Sequence, residues 1–502
     1  MANPLAELLE SLTPPFERIE DYLDHWAEYT PDAEACVEGA ARLTYKGLSQ
    51  RVDTLAERLS SLGIGEGDVV ATLAPPSIDF ITAFLATARL GGVWLGINPK
   101  YRLDEMRQLI SDAKPSVLLA RQEIAGRQYA AELAELAAMG ARTLTFDDDK
   151  WVACPSLQRA SNPVAALVYT SGSTGTAKGA RLTHKGLIRG AQVRSRVWYV
   201  APFRTINNVP INHVGGLGDL ACTALVSGGC QVFLDKFSAQ GTLGIIEKEG
   251  ITYWYQAPTM FQMCLDDPQA EKTDWASLQA AIWSGGRAPE TLICRLASVA
   301  DRIGVDYSMS ESIGAITLSP LTDRPESLFE TVGWADPGRV VRIVMPGTNE
   351  PVHQGEQGEI QINDEWMFAG YLGQPARSGW FGTGDLGAQD KDGSIRITGR
   401  AKEMFKSGGY NVYPREIEML IEGLDGVRAV SVLPAADPLY GEVGVAVIAC
   451  SGDDSALFAI ESACRARLAN YKVPKRFLRV NEMPMLPIGK VDKQALAKLI
   501  SG

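Results

Sequence analysis

Positions 170–178 read TSGSTGTAK, so eight of nine consecutive residues are Gly, Ser, Thr or Lys. The run follows an apolar, β-prone segment at 164–169 that reads as a buried strand. Glycines let backbone N–H groups turn toward an anion, hydroxyls add donors and Lys178 adds a point charge. Those are the parts of a phosphate cradle, although the same composition also suits a flexible surface loop. Two known cradles are excluded. A Walker loop counted from Gly172 would find Ala177 in place of its second glycine and Gly179 in place of its Ser or Thr. The nearest dinucleotide-type fingerprint, GIGEGD at 63–68, ends in Asp and precedes a strand instead of following one.

The elements that would position this loop alternate. Leu48, Val52, Leu55, Leu59 and Leu62 recur at helical spacing and Gly63 supplies a stop. A strand at 69–74, a helix at 80–90, and strands at 229–234, 251–257 and 280–285 continue the pattern. Strands separated by helices predict parallel sheets covered on both faces, an α/β class. Beyond about residue 320, short strands punctuated by Gly and Asp predict an antiparallel, β-barrel-like region. After the segment 399–414 the texture becomes a small α+β unit. The expected division is therefore a large domain 1–399, comprising α/β subdomains to about 320 and antiparallel β over 321–399. A hinge at 400–402 and a mobile α+β domain at 403–502 follow. Within 380–400, Asp392-Gly393 is a strong two-residue hairpin turn, which predicts that Lys391 pairs with Ser394 and that Asp385 lies opposite Arg400.

At 502 residues with 46% hydrophobic content the chain can bury a large core, and its net charge of −12 argues against nucleic acid as a main partner. Eight scattered cysteines without a C-x-x-C pair and only four histidines argue against a zinc site or a disulfide framework. The acidic N-terminus has no secretory pattern, and no apolar run reaches the roughly 20 residues of a membrane span. A cytoplasmic protein without membrane partners is expected, and a homodimer is compatible with the sequence.

Five segments carry a resemblance: YTSGSTGTAKGARLTH, YSMSE at 307–311, FGTGDLG at 381–387, GRAKEMFKSGGYNVYPREIE at 399–418 and LPIGKVDK at 486–493. In order and spacing they resemble the adenylate-forming enzymes: acyl-CoA synthetases, peptide-synthetase adenylation domains and beetle luciferases. The pattern is most similar to acid–CoA ligases. The resemblance implies a two-step reaction, in which a carboxylate attacks the α-phosphate of ATP and a thiol, usually coenzyme A, then displaces AMP. A carboxylic acid with a pKa of about 4 is already ionised at pH 7, so the obstacle is repulsion between two anions, and placed cations and donors should supply most of the catalysis.

The resemblance also implies roles for individual residues. Thr170, Ser171, Gly172, Ser173, Thr174, Gly175 and Lys178 would hold the phosphates, and Glu311 would be the Mg²⁺ ligand. Gly285, Gly286 and Tyr307 would form the adenine-binding segment, with Tyr307 stacking on the base, and Asp306, Ser308 and Ser310 would also bind the nucleotide. Asp385 would take the ribose hydroxyls, with Arg400 as its companion. Lys490 would reach the reacting carboxylate and phosphate. Lys402 stands at the hinge position, and Ser407, Gly408 and Gly409 would line the pantetheine tunnel. Taken singly, Glu311 and Lys490 read as solvated charges, Tyr307 as a core aromatic and His213 as a structural histidine; the family pattern singles them out.

His213, Val214, Gly215, Tyr255, Trp283, Ser284, Ser308 and Ile313 would form the acyl pocket, with His213 as its gate. No acid precedes Asp219 in the segment after His213, which argues for a substrate without an α-amine, and the bulk of the lining hints at an aromatic or cyclic acid. Two alternatives stay open: loading of an acyl group onto a carrier-protein thiol, and a non-catalytic ATP-binding protein on the same fold.

Overall fold

The computed structural model describes residues 3–5, 15–146, 161–170, 177–336, 338–408, 410–451, 455–486 and 491–501. Short apolar strands joined by amphipathic helices build two largely parallel sheets. One runs, edge to edge, through Lys178–Thr183, Val164–Thr170, Val93–Ile97, Val69–Leu73, Val117–Ala120 and Arg142–Thr145. The other has nine strands, with Arg302–Ser308, Ala280–Trp283, Tyr253–Gln256, Arg204–Asn207 and Cys230–Phe233 in its middle. Only its outer pairs are antiparallel.

The main core lies between these sheets. Helix Ile78–Arg89 is buried all round except at its last residue, as a helix sandwiched between layers must be. Helix His184–Val197 is nearly as enclosed, and Thr183 caps it by accepting from the Gly186 N–H. Two of its glycines are required by close approach. A Cβ on Gly186 would sit 2.3 Å from the Trp366 carbonyl oxygen, and one on Gly190 would sit 2.8 Å from that of Ile313. Those approaches bring the turn carrying Glu311 and the segment after Trp366 onto one helix.

The β-barrel-like region expected over 321–399 takes the form of a four-stranded antiparallel sheet, Val340–Val344, Gly358–Asn363, Phe381–Gln389 and Ile395–Arg400. The small C-terminal unit has its own sheet and its own core, around Phe405, Ile417, Val432, Ile448 and Cys464. Helix Pro414–Glu422 of this unit packs against strand Ile395–Arg400.

The hairpin differs from the expected one in two ways that cancel. Asp390 and Ser394 close a three-residue loop, with Gly393 at φ +86°, instead of Lys391 pairing Ser394 across two residues. That shifts the register by one. A bulge then shifts it back, because Leu386 pairs Gly399 whereas Gly387 pairs Ile397, leaving Thr398 as the extra residue. Asp385 therefore does lie opposite Arg400.

Candidate active site

The site candidates gather where strands of both sheets reach their C-terminal ends, the usual place for ligands in α/β sheets. Thr170 ends a strand of one sheet and Ser308 ends a strand of the other. Thr170 and Lys178 are paired in an antiparallel ladder, so the chain leaves and re-enters the sheet at a single point. The strand Lys178–Thr183 thus lies between the loop and helix His184–Val197. Ser171, Gly172, Ser173, Thr174 and Gly175 lie outside the described residues, as do Gly409 and Lys490.

Glu311 is 6% exposed and sits in the 3₁₀ turn Ser310–Ser312. The turn is fastened from behind. The Phe368 N–H donates to the Glu311 carbonyl (3.0 Å), and buried Arg339 donates to that of Ser312 (3.0 Å). Next to it Ile313, a β-branched residue, is held at φ +57°, a strained conformation of the kind that collects at functional sites. The Glu311 carboxylate receives the Tyr371 hydroxyl (2.7 Å) and the Thr170 hydroxyl (3.4 Å). Lys178 places its ammonium 5.4 Å from the centre of the Tyr371 ring. Tyr371 was not legible as a site residue, because nothing in FAGYLGQPA suggests chemistry until the fold carries it to Glu311.

A second cluster lies beside the first. Arg400 Nε is 2.8 Å from Asp385 Oδ1, and the Tyr307 hydroxyl donates to Asp385 Oδ2 (2.6 Å). Burial and the Asp385 carboxylate push the Tyr307 phenol well above its ordinary range. Two residues expected at the ribose and one expected at the adenine are thus joined. Gly285 (φ +80°) and Gly286 are exposed, and a Cβ on Gly286 would meet nothing.

Asp306 is corrected. Neighbouring residues of a strand face opposite ways, and its carboxylate points away from the side that Tyr307 faces, into the interior. There Arg194 Nη2 lies 3.0 Å from Asp306 Oδ2 and 2.7 Å from Asp219 Oδ1, and the Tyr255 hydroxyl is 3.0 Å from Asp219 Oδ2 and 3.3 Å from Asp306 Oδ1. None of these four residues is more than 4% exposed. Burial raises the Asp219 carboxyl to about 6 despite the opposing pull of Arg194, and burial also raises that of Asp306.

The expected acyl lining is only partly assembled. Tyr255 is aligned with Ile282, so Trp283 projects from the other face of the sheet, into a cluster with Trp254, Phe261 and Leu292. The Trp283 ring therefore does not share a pocket with Tyr255, and the Tyr255 hydroxyl is already taken. Ser284 and Ser308 meet at 3.3 Å, while Val214 and Ile313 are buried. His213 is half-buried and accepts from the Gly215 N–H (3.0 Å), at the head of the π-helix Gly215–Cys222. In the small unit, Ser407 is buried, Gly408 is exposed at φ +57°, and Lys402 is exposed.

Among the described residues no group of three His, Cys, Asp or Glu could hold a metal alone. A single carboxylate beside a phosphate-type loop suits Mg²⁺, which takes one or two carboxylates and completes its shell with phosphate oxygens and water.

Comparison with known proteins is unambiguous. The fold is shared with ATP-bound MatB from Rhodopseudomonas palustris, 27% identical with a TM-score of 0.85 over 96% of this chain and 98% of that one. The sequence matches the AMP-binding enzyme family over residues 23–372 and the C-terminal domain of such enzymes over 416–490, and the chain belongs to that family. It is 32% identical over 478 residues to a feruloyl-CoA synthase of Amycolatopsis sp, covering 93% of this chain and 96% of the relative. It is also 32% identical over 503 residues to an (octahydro-indenyl)propanoyl:CoA ligase of Rhodococcus jostii, at 92% and 95% coverage. The activity is ATP-dependent, AMP-forming acid–CoA ligation through an acyl-adenylate, with ATP and CoA as substrates and Mg²⁺ as the family's usual partner. No described helix is long and apolar enough to cross a membrane.

Proposed function

We propose that the chain activates an aromatic or cyclic carboxylic acid that lacks an α-amine. The loop from Thr170 to Lys178 takes the pyrophosphate end of ATP, Tyr307 and Gly285-Gly286 take the adenine, and Asp385 with Arg400 takes the ribose. Glu311 would hold Mg²⁺, which neutralises phosphate charge when bound. Lys178 and Lys490 then offset the repulsion between the acid and the α-phosphate. His213, Val214, Ser284, Ser308 and Ile313 surround the acyl group. Residues 400–402 act as the hinge between the domains 1–399 and 403–502, and Ser407–Gly409 line the thiol arm's path. A cytoplasmic location and a homodimer belong to the same proposal.

The observation that carries the reading is the meeting of Thr170, Lys178 and Glu311, from three separate segments, beside the Asp385–Arg400–Tyr307 cluster. The aromatic or cyclic preference loses the support of Trp283. It keeps that of the feruloyl and indenyl names of the two relatives. A pyrophosphate-release screen over aromatic, cyclic, straight-chain and α-amino acids, with and without CoA, tests it. Turnover with ring-bearing acids and CoA-dependent thioester formation are expected; turnover confined to straight-chain or α-amino acids would overturn the substrate class.

A further inference from the structure

The geometry points to Tyr371 as a positioning residue that holds both the carboxylate for the metal and the cation for the phosphates, an inference that rests on the proposed role of Glu311. Tyr371 sits in a segment locked to the phosphate-loop strand. It forms a bridge with Ala180, the Leu372 N–H donates to the Gly179 carbonyl (2.7 Å), and Arg181 donates to the Ala369 carbonyl (2.8 Å). The same segment fixes the Glu311 turn through the Phe368 N–H. Tyr371 is thus held by the strand that bears Lys178 on one side and by the turn that bears Glu311 on the other.

Its side chain does two separable things. The hydroxyl donates to Glu311 Oε1, the oxygen that also receives the Thr170 hydroxyl. Among the described residues both donors fall on Oε1, so they fix the carboxylate's orientation while leaving Oε2 for a cation. Donors of this kind commonly orient a metal's ligands. The ring lies within cation–π range of the Lys178 ammonium, and the Phe368 ring packs against it in a T-shaped arrangement (4.9 Å between centroids, 68°).

Two variants separate the functions. Tyr371→Phe removes only the donor; Tyr371→Ala removes the ring as well. ATP binding is followed by calorimetry while Mg²⁺ is titrated, and Mn²⁺ bound with ATP is read by electron paramagnetic resonance. Tyr371→Phe should raise the Mg²⁺ midpoint by about tenfold and broaden the Mn²⁺ signal, while ATP binding without metal stays as in the wild type. Tyr371→Ala should add a weakening of metal-free pyrophosphate binding. A wild-type Mg²⁺ midpoint and Mn²⁺ spectrum in a folded Tyr371→Phe protein overturn the inference. Glu311→Gln is the control for the parent reading. If it shifts the midpoint and Tyr371→Phe does not, only the role of Tyr371 falls; if Glu311→Gln also leaves it unmoved, the metal ligand has been misassigned.

Discussion

Two Asp–Arg–Tyr clusters, built from the same side-chain types, meet at adjacent residues of one strand. Tyr307 belongs to the cluster with Asp385 and Arg400, and Asp306 to the cluster with Arg194 and Tyr255. They differ in exposure: the Arg400 side chain is 60% exposed and that of Arg194 is 1% exposed. They also differ in charge, because Arg194 faces a second carboxylate, Asp219. In the open cluster the guanidinium stays hydrated, although Asp385 itself is buried. A sealed cluster must satisfy its own charges, and breaking it strands ions in a low dielectric. The difference teaches that identical residue types are divided by burial into a part open to solvent, proposed to bind, and a part that holds.

Mutating the sealed arginine should have the largest effect. Arg194→Met leaves two buried carboxylates without their cation, and a loss of about 3–5 kcal/mol is expected in urea unfolding at pH 7, with ATP affinity of the remaining folded protein unchanged. A small loss there would mean that the sealed cluster is not a structural unit. The open cluster should respond in the opposite way. Asp385→Asn removes a charged acceptor from the proposed ribose site and should weaken ATP binding by about tenfold or more in calorimetry, with little change in stability.

The sealed cluster should also show in the pH dependence. The Asp219 carboxyl in the folded protein, at about 6, is higher than in the unfolded chain. The native state therefore holds this proton more tightly, and that contribution to stability is present at low pH and lost as pH rises through about 6. Asp219→Asn fixes the group in a neutral form. Between pH 4 and 6 its stability relative to the wild type should rise, by on the order of 1 kcal/mol; a constant difference would mean that Asp219 ionises normally. The smallest effect is expected for Arg400→Met, a loss of about 1 kcal/mol in stability, because the guanidinium is exposed even though its carboxylate partner is buried. A larger loss would erase the contrast between the clusters.

Much of this was legible in the sequence. The alternation of strands and helices fixed the α/β class because period and turn residues agree along the chain. The Asp385–Arg400 pairing was legible too, yet through a turn and a register that both differ from the real ones; their errors cancel at that pair and not at Gln389, which pairs Ile395. The opposite orientation of Asp306 and Tyr307 could have been read from strand period alone. The separation of Trp283 from Tyr255 could not, since it depends on how two parallel strands are aligned. Tyr371 and Arg194 escaped for a similar reason. Each acts through a partner distant in sequence, Glu311 for the one and Asp219 and Asp306 for the other, and no local pattern marks such meetings.

The central claim is that charge-bearing segments converge to bring two anions together at the turn after Tyr169. A crystal structure with ATP and Mg²⁺ tests it most directly. The triphosphate is expected between Lys178 and Glu311, with the ribose on Asp385. A triphosphate lying elsewhere, with Glu311 still bonded only to Tyr371 and Thr170, would contradict the account.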